Sequence, residues 1–105
     1  MIRIQVTYLN KSIQKLIVEG HANSDTEGHD LVCAAVSAVT QGGVQALTDE
    51  EGSYCLVMKK GYLELARTAP NMSEHDETVL ETIVVQLESI AQVALDYVQL
   101  ERKQK

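Results

Sequence analysis

The sequence predicts an α/β (α+β) two-layer sandwich, ordered strand-strand-helix-strand-strand-helix, with two helices on one face of one sheet. Two observations carry that prediction. Twice along the chain a pair of short apolar runs is joined by a tight-turn signal. Each pair is followed by a helix-compatible segment, the first rich in Ala, Val and Ser and the second with apolar residues at helical spacing. Laying both helices on both hairpins is the simplest closed arrangement that buries their apolar faces. A length of 105 residues suits a single domain spanning 1–105, with one modest core for which dimerisation is a natural supplement.

Ile2, Ile4, Val6 and Tyr8 alternate with Arg3, Gln5 and Thr7, the period of a half-buried strand. Asn10-Lys11-Ser12 is turn-like, and Ile13 to Glu19 reads as the returning strand, which puts His21 at a strand end. Residues 22 to 29 are polar, with Asn23, Ser24, Asp25, Glu27 and Gly28, and predict a mobile surface loop. Asp30 is a good N-cap residue, so the first helix is expected from Leu31 to about Leu47 with Cys33 its third residue. Its Gly42-Gly43 pair either admits a close neighbour or loosens the last turns.

After the acidic turn Asp49-Glu50-Glu51-Gly52, Tyr54 to Met58 is strand-like, Lys59-Lys60-Gly61 turns, and Tyr62 to Arg67 returns. Pro70 and Asn71 end this hairpin, and Ser73-Glu74-His75-Asp76 resembles a capping box. Leu80, Val84, Leu87, Ala91, Ala94 and Val98 then form an apolar seam over about five helical turns. A second row, Val79, Ile83, Ile90, Val93 and Tyr97, is wider than one sheet needs and offers a partner surface. The tail from Glu101 to Lys105 is charged and is expected to fray.

The net charge of −6 argues against nucleic acid as a direct ligand, because phosphate recognition needs clustered Lys and Arg. Phe and Trp are absent, which also removes base-stacking platforms. No run of about 18 apolar residues is present and no basic-then-apolar signal opens the chain, so a soluble cytoplasmic protein is expected, without a membrane partner. Two cysteines are too few for a disulfide framework and do not form a C-x-x-C pair.

The stretch Gly20 to Ser37 holds the chemistry. It sets a histidine and a cysteine on two sides of a polar loop, the layout of a thiol and its base. A thiolate is favoured beside an imidazolium or in the first turn of a helix. Only a loop folded back on itself brings the two together, and Gly20 and Gly28 give it backbone freedom. Other readings stand beside this one. Cys33 can be a small buried hydrophobe, and His21 a strand-end residue satisfied by a carbonyl. Ser37, one turn past Cys33, either steadies the sulfur, the imidazole or a substrate carbonyl, or back-bonds within its helix. Asp30 either orients the imidazole or only caps. A metal held by His21, His29 and Cys33 lacks a fourth ligand, and no cofactor signature occurs. Cys55 reads as inert core, and His75 as solvent-exposed.

Gly20-His21-Ala22, Gly28, Asp30, and Val32-Cys33-Ala34-Ala35 with Ser37 together resemble the Prp family, the ribosomal-processing cysteine proteases of Firmicutes and related bacteria. The resemblance spans essentially the whole chain. It implies a homodimeric cysteine protease that removes an N-terminal extension from the precursor of large-subunit ribosomal protein twenty-seven, cutting after an aromatic residue. By the same resemblance His21 is the general base and Cys33 the nucleophile, while Gly20, Gly28, Asp30 and Ser37 have supporting roles. A non-enzymatic dimeric assembly factor and a thiol redox sensor are the competing functions, the second weakened by the lack of a nearby resolving cysteine.

Overall fold

The computed structural model describes residues 1–20, 27–48, 52–68 and 72–105, for residues 27–30 in backbone only. Its elements are β1 (Ile2–Leu9), β2 (Ser12–Glu19), α1 (Glu27–Val44), β3 (Tyr54–Lys59), β4 (Tyr62–Arg67), α2 (Glu74–Val93) and β5 (Val98–Gln104). The five strands form one mixed sheet in the order β3-β4-β2-β1-β5. Both predicted hairpins are present. The predicted four strands become five, because the tail is a strand.

The first hairpin turns through Asn10 and Lys11, both at positive φ (50° and 69°), the backbone of a tight primed turn. Its register shifts between Thr7 and Tyr8, where Gln14 is the extra residue. That bulge explains a spacing that simple alternation does not. Ile13, Leu16 and Val18 all face the core, although the first two are three positions apart. From β1 the core receives Ile2, Ile4 and Val6, and from β4 Leu63 and Leu65.

α2 begins as its capping signal predicts, with the Asp76 N–H donating to the Ser73 hydroxyl at 3.1 Å. The reciprocal half of the box is put to other use. Buried Asp76 accepts from the Thr48 N–H at 3.0 Å and the Thr48 hydroxyl at 3.1 Å, tying the end of the α1 connection to α2. Leu80, Val84, Leu87 and Ala91 are buried as the seam requires, and Ile83 from the second row joins them. Ile83 lies against Gly43, where a side chain would collide with it, so that glycine admits a close neighbour between the helices. Val85 and Val93 remain exposed on the outer face of α2.

The seam stops sooner than its spacing predicts. α2 ends at Val93 with Ala94 as its C-cap, and the chain turns through residues 95–97. Val98, 1 % exposed, then starts a strand parallel to β1, and the Ile2 N–H donates to the Tyr97 carbonyl at 2.8 Å. The charged tail is therefore paired, not frayed. Four and two are both even, so Val98 four residues after Ala94 and two before Leu100 suits a helix seam and a strand face alike.

Candidate functional site

α1 starts at Glu27, four residues earlier than the sequence predicts, and this changes three expectations. Asp30 is inside the helix and is not its N-cap. Gly28 is helical, not a loop hinge. Cys33 is the seventh helical residue and lies beyond the four unpaired N–H groups of the helix start, so its own amide belongs to the helix ladder. The expectation that the sulfur sits in the first turn is not met. The reason lies in the residues themselves: Glu27, His29 and Asp30 are polar yet helix-compatible, and acidic residues suit a first turn. Polarity alone predicts a loop here, where it marks a helix start.

Cys33 is half-buried and packs against the core. It opens into a cleft of about 200 Å³ between α1, the ends of β1 and β2, and the β3–β4 turn. Ser37, one turn on, lines the same cleft, as do Gly20, Lys60 and Tyr62. The structure therefore brings together three of the residues singled out from sequence: Cys33, Ser37 and Gly20. His21 lies outside the described residues, as do residues 22–26 of the predicted loop. It follows directly on Gly20, which fixes where the chain leaves β2.

That exit is tightly built. Gly20 has φ +101°, and a Cβ there would fall on the Met1 carbonyl. Its N–H donates to the Gly61 carbonyl at 3.0 Å, joining the end of β2 to the β3–β4 turn. Gly20→Ala is expected to lower stability by about 2 kcal/mol and to displace the segment carrying His21. A matched fall in thermal midpoint and in peptide-cleavage rate would show it, and an unchanged midpoint would count against it.

The β3–β4 hairpin contributes residues that sequence reasoning did not single out. Lys59, Lys60 and Tyr62 stand at the cleft. The Tyr62 hydroxyl donates to Glu64, and this bond, with slight burial and the nearby Glu64 and Glu19 charges, raises its pKa above the ordinary tyrosine value. Tyr62 is thus a neutral phenol at physiological pH. Their only sequence signal was a turn, which says nothing about what the turn faces. Cys55, expected in the core, is exposed on the edge strand β3. His75 is exposed, with Nε2 2.9 Å from the Ala46 carbonyl. Among the described residues no three His, Cys, Asp or Glu side chains converge as metal donors, and no helix is long and apolar enough to cross a membrane.

The family model of the cysteine protease Prp matches residues 1–99. The chain belongs to the Prp family. It is 29% identical to the ribosomal processing cysteine protease Prp of Staphylococcus aureus, over 98% of this chain and 100% of that protein. With the protein of the same name from Bacillus subtilis it shares 31% identity over 77% of this chain and 78% of the other. Its fold matches a crystal structure of the S. aureus Prp protease in complex with a covalently linked product peptide, at a TM-score of 0.84, 28% identity, and 98% and 100% coverage. The fold class and the enzyme class read from the sequence, an α+β cysteine protease, hold.

Proposed function

We propose that residues 1–105 form one protease domain that removes the N-terminal extension from the precursor of large-subunit ribosomal protein twenty-seven in the cytoplasm. The observation that carries this reading is Cys33 opening, with Ser37 beside it, into a cleft at the end of the sheet. The peptide held covalently by the S. aureus relative supports it.

In this mechanism His21 takes the thiol proton, and the Cys33 sulfur attacks the scissile carbonyl carbon to give a tetrahedral oxyanion. Collapse expels the amine, protonated by His21, and leaves a thioester. Water, deprotonated by His21, then attacks the thioester and releases the acid and the thiol. The oxyanion needs donors that the first turn of α1 is too distant to supply from Cys33's own position. We assign this to the hydroxyl of Ser37, an exposed residue that lines the same cleft. Asp30 occupies the position three before Cys33 on α1, a spacing that puts it on the same face, and its proposed role is to orient His21. Gly20 and Gly28 are assigned supporting backbone roles on either side of His21. The proposed protein is a homodimer, paired through the exposed Val85 and Val93 stripe of α2.

The test is incubation with a peptide spanning the ribosomal extension, read by mass spectrometry, beside Cys33→Ala, His21→Ala and Ser37→Ala. Cleavage at one bond by the parent, none by the first two variants, and a rate about 100-fold lower for Ser37→Ala is expected. An intact peptide that both parent and variants bind equally well would instead make the chain a binding module.

A further inference from the structure

The two edges of the sheet are unlike. β5 carries Glu101, Arg102 and Lys103, the kind of charge that keeps an edge from pairing with another chain. β3 carries Cys55, Leu56, Val57 and Met58, with Leu56 39 %, Val57 36 % and Met58 52 % exposed. Charge appears only at its end, in Lys59.

Register shows which backbone groups this edge presents. The Thr68 N–H donates to the Ser53 carbonyl at 2.8 Å, so ladder bonds to β4 fall on Ser53 and then on every second residue, Cys55, Val57 and Lys59. Leu56 and Met58 therefore turn their N–H and C=O groups outward. Across the ladder they oppose the buried Leu65 and Leu63, so their side chains lie on the helix-bearing face. Two residues further on, the same strand end reaches the site: Met58, Lys59 and Lys60 line the cleft that holds Cys33.

We infer that the outer edge of β3 binds the substrate peptide as an added strand, whose chain runs past Met58 into the Cys33 cleft. This rests on the protease reading above. The peptide is chosen over other occupants because the apolar edge and the cleft are one continuous surface. Backbone pairing holds any sequence extended, as attack on a peptide carbonyl requires, and selects by side chain at every second position. The residues beside Leu56 and Met58 on the helix-bearing face are the ones selected, and they are apolar.

The experiment measures kcat and KM of the parent on the ribosomal-extension peptide and on a series bearing one backbone N-methyl group at successive positions away from the scissile bond. The expected result is a KM raised about tenfold at alternate positions and unchanged between them. Leu56→Pro removes an outward N–H without breaking a bond to β4, and is expected to raise KM about tenfold at unchanged kcat. Should that variant misfold, the N-methyl series decides alone. Cleavage of the plain peptide with a flat N-methyl series overturns the inference and leaves the protease reading standing. No cleavage of the plain peptide removes both. A Leu56→Pro variant that loses dimers while its kinetics match the parent assigns the edge to a second copy and overturns the inference.

Discussion

Cys33→Ser is expected to lower kcat by a factor on the order of 10⁴ or more while leaving the fold in place. Serine differs from cysteine by one atom, and the site is half-buried against the core, so the packing change is small. The chemical change is large. A serine hydroxyl is a far weaker acid than a thiol, and His21 alone does not turn it into a comparable nucleophile. Cys55→Ser is the matched control. Cys55 is exposed on β3, and its neighbours across the ladder put it on the face away from the helices, so cleavage should stay within about twofold of the parent. Thermal unfolding beside the kinetics separates lost chemistry from lost structure. Equal losses in the two serine variants would point to oxidation chemistry shared by both thiols, and would remove Cys33 from its role as nucleophile.

How far the sequence carries depends on whether a residue's pattern has one structural reading or two. Ile2, Ile4 and Val6 alternate with polar residues and have only a strand to belong to; Leu80, Val84 and Leu87 have only a helix. The Cys33–Ser37 pair was equally legible, because a spacing of four survives any shift in where α1 starts. The start itself was not. Asp30 satisfies the rule for an N-cap and is compatible with a helix interior, and only the packing of the whole helix decides between them. Cys55 failed for a different reason: strand residues are read as core by default, and nothing local says that β3 is the sheet's edge. Edge position is a property of topology. It depends on β5 occupying the far side of β1, which in turn depends on the segment the periodicity assigned to a helix.

Truncation after Tyr97 tests that segment, and the expected result is loss of most of the stability of the fold. The deletion removes Val98, whose burial contributes about 2 kcal/mol, and half-buried Leu100. It also leaves β1 without its parallel partner, so a strand that contributes Ile2, Ile4 and Val6 to the core becomes an edge with unpaired backbone. Domains of this size are stable by about 5–15 kcal/mol in total, and each kcal/mol is worth about 4–8 °C in thermal midpoint. A fall of about 20 °C, or no cooperative transition at all, is therefore expected. Truncation after Leu100 keeps both apolar residues and removes the charged end, where Arg102 pairs with Glu88 and lies 3.4 Å from the Tyr8 hydroxyl. Exposed pairs of that kind contribute little, so this second variant should lose only a few degrees. If the two truncations melt together near the parent, the tail is a passenger; if they melt together far below it, the charged end holds β5 in place and the apolar pair does not. Only a wide gap between them fits a strand anchored by Val98 and Leu100. That gap would also explain why the fold ends with a strand whose outer half is charged: its inner residues complete the core, and its outer ones close one edge of the sheet while β3 stays open beside the cleft.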